Sequence, residues 1–270
     1  MYVLAHPTLN DLTPPEFVRI AARTGYDAVN LRIMPLEPND PAHDIFRDRG
    51  LLRATADALA ETGLPVLDVE VIRIEPDSRA ETFAGLFASA QTLGARYVVA
   101  IAMDTDEGRV TERLAELCAA AAPHELTVVL EFMMRGGIRT LDAAHRIVTG
   151  TGARNAGVLV DALHFYRTGS QPADLAAIDP ARLPYMQIND VVDFERLRAT
   201  ALTDNSAWKK ILPGKGELRL RELLAALPPG IPISIEAPGT PGMSVAEAER
   251  YARAALEATR AVVAGTANVS

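Results

Sequence analysis

Four short segments decide the fold, and they read TVVLEF (residues 127–132), GVLVDALH (157–164), MQIND (186–190) and ISIEAP (233–238). Three of them are apolar runs, largely of β-branched residues, that lead into an acidic side chain, and MQIND has its polar residues at Gln187, Asn189 and Asp190. Continuous apolar runs of this length are typical of strands buried on both faces of a sheet. The segments therefore predict parallel strands whose ends carry polar residues.

Similar runs extend back to the N-terminus and alternate with stretches in which alanine and leucine recur at helical spacing. The predicted strands are Tyr2–Ala5, Ala28–Arg32, Val66–Ile72, Tyr97–Ala102, Thr127–Phe132, Gly157–Ala162, Tyr185–Asn189 and Pro232–Glu236. The predicted helices are Pro14–Thr24, Leu51–Thr62, Ser78–Leu93, Glu107–Ala122, Leu141–Thr149, Leu218–Leu227 and Val245–Val263, with a short sixth connection at Pro172–Ile178.

Eight βα units in 270 residues predict an α/β fold, a (β/α)8 TIM barrel, as one domain over residues 1–270. The alternative is a doubly wound open sheet. That fold usually has a glycine-rich phosphate turn after its first strand, and LAHPTLNDL at residues 4–12 has no such turn.

Composition narrows the class of partner. A formal net charge of −8 argues against a nucleic-acid surface, and no run of residues is long and apolar enough to predict a membrane span. The single cysteine, Cys118, lies among alanines and predicts a small buried helix residue in a reducing compartment. The N-terminus lacks the pattern of a signal peptide. We therefore expect a cytoplasmic protein that acts on a small molecule. Composition is compatible with either a monomer or a homo-oligomer.

The polar residues at the strand ends are the candidate site, because the active site of such a barrel forms at the C-terminal ends of its strands. These residues are Glu131, Asp161, Gln187 and Glu236. A buried carboxylate needs a compensating partner, and an all-oxygen ligand set suits one Mg²⁺ or Mn²⁺ ion better than zinc. The alternative for each acid is a helix cap or an ion pair with a basic loop residue such as Arg135 or Arg167.

Several further residues are candidates for contact with a substrate. His164, three residues after Asp161, is expected at the rim as acid, base or ligand, or as a residue that orients its neighbours. His6 and Glu70 are each expected either to contact the substrate or to have a structural role. The long segment 191–216 predicts a lid, in which Trp208 closes over the substrate and a lysine such as Lys209 meets an anionic group. A hydrophobic plug is the alternative for Trp208.

The motifs together resemble the xylose isomerase-like barrel superfamily, whose many members are sugar phosphate isomerases and epimerases. The resemblance covers nearly the whole chain and is carried by LEF at residues 130–132, DALH at 161–164, QIND at 187–190, PGKGEL at 213–218 and SIEAP at 234–238. Many ketose epimerases have histidine on the seventh strand. The glutamine found here is similar to that of the hydroxypyruvate isomerase branch.

This resemblance implies a metal bound by Glu131, Asp161, Gln187 and Glu236, with the two glutamates exchanging a proton as base and acid. The expected function is a divalent-metal-dependent isomerase or epimerase in carbohydrate metabolism, acting on a sugar-like hydroxy-carbonyl compound through a metal-stabilised enediolate. The first alternative is a metal-dependent lyase that dehydrates a keto-cyclitol or a compound of the dehydroshikimate type. A non-catalytic barrel that binds a sugar or a partner is the alternative from another class.

Overall fold

Eight parallel strands pair in chain order and close into a barrel, with β8 returning to β1, in a computed structural model that describes residues 1–35, 44–199 and 209–266. The predicted TIM barrel is confirmed. The strands β1 to β8 are Tyr2–Leu4, Ala28–Arg32, Val66–Ile74, Tyr97–Ala102, Thr127–Glu131, Ala156–Asp161, Met186–Ile188 and Ile233–Ile235.

Helices connect the strands. The helices α1 to α9 are Pro14–Thr24, Arg49–Thr62, Ala84–Thr92, Glu107–Ala121, Leu141–Gly150, Ala162–Arg167, Phe194–Ala199, Leu220–Ala226 and Val245–Thr266. Five short 3-10 helices complete the regular structure of the described ranges, at His6–Leu9, Ala80–Phe83, Ala122–His124, Pro172–Ala177 and Pro180–Arg182. Within those ranges, no helix combines the length and the apolar character needed to cross a membrane.

Local sequence sets the helix ends. The Glu16 carboxylate accepts hydrogen bonds from the backbone nitrogen and hydroxyl of Thr13, which fixes the start of α1. Gly25 ends that helix with φ of 85°, a conformation that glycine adopts without steric cost. Ser244 and Glu247 form a capping box at the start of α9, since the Ser244 backbone nitrogen and hydroxyl both donate to the Glu247 carboxylate.

The core has two layers, one between the strands and the helices and one inside the barrel. Inside the barrel lie side chains that include Val3, Leu67, Val99, Val129 and Leu159. Side chains on a strand alternate between its two faces, so residues two apart share a face. The acids that follow Val129 and Leu159 by two residues therefore point into the top of the barrel.

Two short helices were not predicted. The six-residue helix α6 begins directly after β6, and α7 lies in the segment that was expected to be a loop. A helix of six residues gives too few turns for a periodic pattern to be recognised. The predicted sixth connection, Pro172–Ile178, forms a 3-10 helix over Pro172–Ala177.

Candidate functional site

Four polar residues from neighbouring strands lie at the C-terminal end of the barrel. Glu131 and Asp161 are the last residues of β5 and β6. Gln187 is the middle residue of β7, aligned with Asp161, and Glu236 directly follows β8. The closed sheet brings these residues together because the ends of all parallel strands open on one face.

Lys210 joins two of the acids. Its ammonium nitrogen lies 2.9 Å from Asp161 Oδ2 and 2.9 Å from Glu236 Oε1. The lysine side chain is only 11% exposed, so water screens these ion pairs weakly. Lys210 comes from the segment after β7, which approaches the strand ends from above.

Asp190 holds that segment in place. Its backbone forms an antiparallel bridge with Ile211, through hydrogen bonds in both directions. Its buried carboxylate accepts hydrogen bonds from the backbone nitrogens of Gly214, Gly216 and Leu218, at 3.0, 3.0 and 2.9 Å. The Asp190 carboxylate thus joins the motif QIND to the motif PGKGEL, which lies more than 20 residues later in the sequence. This contact fixes the position at which Lys210 enters the site.

His164 connects Asp161 to Glu131. The Asp161 Oδ1 atom accepts from the His164 backbone nitrogen at 2.9 Å and so caps α6. The imidazole Nε2 of His164 lies 3.6 Å from Glu131 Oε1. Asn189 donates to Asp161 Oδ2 at 2.6 Å and accepts from the Leu163 backbone nitrogen at 3.1 Å. The predicted rim histidine therefore touches one candidate acid through its ring and another through its backbone.

Burial and neighbouring charges shift the pKa values of these groups in different directions. Burial, followed by repulsion from the neighbouring acids, raises the pKa of Glu131 well above its usual value. Burial also raises the pKa of Glu236. Burial acts in the same direction on Asp161, but attraction to the Lys210 ammonium and hydrogen bonding outweigh it, so the pKa of Asp161 is lowered. Burial lowers the pKa of His164 to about 4, which makes a neutral imidazole at cellular pH.

The oxygen donors fit a divalent cation by chemistry and charge. Three acids face one ammonium, and Gln187 Oε1 is buried without a hydrogen-bond partner among the described residues. Across residues 1–35, 44–199 and 209–266, no three His, Cys, Asp or Glu side chains are already close enough to share an ion. Lys210 lies between two of the candidate ligands, so a metal would have to take oxygens that the ammonium now contacts.

A second polar group lies beside the acids. Glu70 forms an ion pair with Arg32 at 3.0 Å, and Asn30 donates to Glu70 Oε2 at 3.1 Å. Asn30 also donates to Asp68, a fully buried acid. Burial, then repulsion from Glu70, raises the pKa of Asp68 well above its usual value. Glu70 therefore lines the cleft, and each of its two carboxylate oxygens contacts a protein group. Its contact with a substrate stays a prediction.

A cleft of about 350 Å³ lies at this end of the barrel, and Glu70, Glu131 and Glu236 are among the residues that line it. An adjoining cleft of about 340 Å³ shares four lining residues with it, Arg32, Glu236, Pro238 and Gly239. The first cleft combines charged groups with an apolar wall of Val71, Ile101, Met133 and Leu163. Such a mixture suits a small polar ligand whose reacting atoms must be kept from water. Its charged and polar lining residues are Arg32, Glu70, Glu131, His164, Lys209, Lys210 and Glu236.

Three predicted substrate contacts have different outcomes. Lys209 is exposed and lines the cleft, whereas Trp208 lies outside the described residues. His6 is buried, with Nε2 3.1 Å from Leu12 O and Nδ1 accepting from the Arg32 backbone nitrogen at 3.2 Å. Its ring also stacks on Phe17 with centroids 4.6 Å apart. This arrangement fits the structural alternative for His6, and its substrate contact stays a prediction.

Sequence reasoning missed three polar residues at the site. Lys210 was noticed only as the neighbour of Lys209, and two adjacent lysines in a long loop give no signal for which one turns inward. Arg32 ends a strand just as the acids do, so its position carried a usable signal. Asn189 directly follows β7 and lies two residues after Gln187, so the period of two places both side chains on one face.

Comparison with known proteins identifies the family of the chain and several curated relatives of part of it. A family model described as a xylose isomerase-like TIM barrel matches residues 18–262. Inosose isomerase from Bacillus subtilis (strain 168) is 30% identical over 155 residues, which is 54% of this chain and 54% of the relative. The match thus spans about half the length of that curated relative.

Solved structures share the fold at low sequence identity. The IolI protein with a bound zinc atom has a TM-score of 0.82 and 21% identity, covering 98% of each chain. D-psicose 3-epimerase in the presence of D-fructose has a TM-score of 0.73 and 13% identity, covering 97% of this chain and 99% of the epimerase. At these identities the likeness concerns the fold alone.

Proposed function

The chain belongs to the xylose isomerase-like TIM barrel family, and from that membership we propose that it is a divalent-metal-dependent isomerase or epimerase of a sugar-like hydroxy-carbonyl compound. Within that class we favour a keto-cyclitol of the inosose type, because the curated relatives are inosose isomerases. The observation that carries the proposal is the pair of buried acids, Glu131 and Glu236, that line one cleft.

The proposed metal ligands are Glu131, Asp161, Gln187 and Glu236, and we propose Mn²⁺ or Mg²⁺ as the ion because all four donors are oxygens. When bound, such an ion would supply a Lewis acid that stabilises negative charge developing on the substrate's carbonyl and neighbouring hydroxyl oxygens.

The chain's own residues supply the proton transfer. Burial raises the pKa of both glutamates, whereas a bound cation would lower it. Both carboxyls line the cleft, so one can act as base while the other acts as acid. In this scheme one glutamate removes the proton from the carbon that bears the hydroxyl. The other delivers a proton either to the former carbonyl carbon, while the hydroxyl proton passes to the former carbonyl oxygen, or to the opposite face of the carbon that lost its proton. The first outcome is isomerisation and the second is epimerisation.

Neighbouring groups support that transfer. The neutral imidazole of His164, beside Glu131, can orient that carboxyl and the substrate by hydrogen bonding without adding charge. Arg32 and Asn30 hold the Glu70 carboxylate at the wall of the cleft, where we propose that it contacts a substrate hydroxyl. The apolar wall limits the access of water to the reacting carbon.

The test is an assay of the chain with Mn²⁺ in D₂O against inososes and ketoses, followed by NMR. Deuterium incorporation at carbon with an isomeric product and no loss of water is the expected result. Loss of water with a new double bond would replace the proposal with the dehydratase alternative for that substrate. Absence of both exchange and turnover across the panel would contradict the isomerase proposal for these two substrate classes.

A further inference from the structure

The ammonium of Lys210 occupies a position between two of the proposed metal ligands. It contacts Asp161 Oδ2 and Glu236 Oε1 at the same distance, 2.9 Å, and its side chain is largely buried. These contacts use oxygens that the proposed ion would also need. A lysine in this position is therefore more than a rim charge that attracts a substrate.

The ammonium and a divalent ion cannot use these oxygens in the same way at once. Metal–oxygen bonds to Mg²⁺ are about 2.1 Å long, so the ion would lie closer to both carboxylates than the ammonium nitrogen does. Two cations that share the same pair of oxygens also repel each other strongly in a buried site. Binding of the ion therefore requires Lys210 to move off at least one of the two carboxylates.

The ammonium also has a role before a metal arrives. Asp161 and Glu236 lie close enough together for one ammonium to contact both, so Lys210 offsets the repulsion between them. Lys210 is suited to this role because Asp190 anchors the segment that carries it, through the bridge to Ile211 and the backbone nitrogens of the following turn. These contacts of Asp190 keep Lys210 near the site when its ammonium no longer bridges the two carboxylates.

We propose that Lys210 is a tethered placeholder cation, which holds Asp161 and Glu236 together in the metal-free chain and leaves this bridge when the divalent ion binds. The inference rests on the proposed function for the identity of the metal ligands. Lys210 is in this sense a positioning residue. It sets the affinity of the site for metal by competing with the ion for the same two carboxylates.

The main test is calorimetric titration of the chelator-treated full chain with Mn²⁺. Lys210→Gln removes the competing charge, so we expect Mn²⁺ to bind at least about tenfold more tightly than to the unaltered chain. Lys209→Gln is the matched control, since it removes the same charge from the adjacent, exposed lysine. This control should change the affinity by less than about threefold, because an exposed charge is well screened.

A second measurement uses the unaltered chain and does not depend on the folding of a variant. Acetylation of Lys210 by a limiting amount of acetic anhydride, followed by peptide mass analysis, reports how accessible its amine is. Release of the ammonium predicts that saturating Mn²⁺ accelerates labelling of Lys210 severalfold while labelling of Lys209 stays the same. Labelling of Lys210 that is unchanged or slower with Mn²⁺ would overturn the proposal.

The outcomes separate this inference from the proposed function. Equal or weaker Mn²⁺ binding by Lys210→Gln, with normal binding by the unaltered chain, overturns the role of Lys210 and leaves the metal site intact. Mn²⁺ binding by Lys210→Gln alone would overturn the proposed displacement of Lys210, together with the metal requirement of the unaltered chain. Failure of both proteins to bind Mn²⁺ overturns the inference together with the metal requirement of the proposed function.

Discussion

At the scale of single residues, the two glutamates of the cleft carry the first prediction. Glu131→Gln or Glu236→Gln keeps the size of the side chain and removes its ability to transfer a proton. We expect each change to lower the rate of turnover by about 10²- to 10⁴-fold, the usual contribution of a positioned acid or base. The measurement is the initial rate with an inosose and Mn²⁺, alongside circular dichroism to verify the fold.

Glu116→Gln provides the control, because Glu116 is a half-exposed helix residue paired only with Arg113 among the contacts described. Its turnover should equal that of the unaltered chain. Full activity of both cleft variants would contradict the assigned proton transfer, even if the chain proved to be an isomerase.

The single cysteine gives a second prediction at this scale. Cys118 lies on α4 and is fully buried, and burial raises the pKa of its thiol to about 12. The reactive thiolate is therefore absent from the folded chain until the pH approaches that value. We expect no reaction with a disulfide reagent at pH 8 and one equivalent per chain after unfolding in guanidinium. Rapid labelling of the native chain would show that this helix opens.

At the scale of elements, the turn after β7 depends on one carboxylate. Asp190→Ala removes the acceptor for four backbone N–H groups, two of which, those of Val191 and Leu218, belong to buried residues. We expect a loss of about 3 kcal/mol in the free energy of unfolding, measured with urea. Asp106→Ala is the comparison, since this exposed helix cap accepts one N–H and should cost about 1 kcal/mol. Equal losses would mean that the turn has other support.

The same turn requires a glycine. A Cβ atom at Gly216 would lie 2.1 Å from the carbonyl oxygen of Val191, which is backbone and cannot rotate away. Gly216→Ala is therefore expected to raise the thermal lability of the chain and to displace Lys210. Gly108→Ala on α4 is the control. The new methyl group there would meet only a side-chain oxygen of Asp106 at 3.3 Å, and alanine favours a helix. Comparable melting of both variants would contradict this assignment.

At the scale of the whole molecule, metal binding should stabilise the fold. A ligand that binds only the native state adds about 2.7 kcal/mol to the free energy of unfolding at a hundredfold excess over its dissociation constant. We expect the thermal midpoint to fall after treatment with EDTA and to recover with Mn²⁺. Identical melting curves in the two states would favour the non-catalytic barrel, because that alternative needs no metal.

How much the sequence predicted differs between the fold and the site. The eight strands were predicted close to their observed positions because most of their residues are apolar, a pattern that depends on burial of the strand itself. Glu131, Asp161 and Glu236 were predicted for a related reason, since the end of each run gives the end of a strand. Helix α6 and the inward turn of Lys210 were missed, because six residues show no period and a loop has none.

The sequence alone determined the alternation of strands and helices, the closed barrel that this alternation favours and the oxygen-rich mouth of that barrel. Only the tertiary structure decided which lysine contacts those oxygens, namely Lys210. It also decided that Arg32 pairs with Glu70 and that the Asp190 carboxylate binds the backbone of the turn after Lys210. The physical reason is the distance in sequence between the residues that interact. Strand and helix patterns follow from neighbours along the chain, whereas these contacts join residues brought together by closure of the barrel.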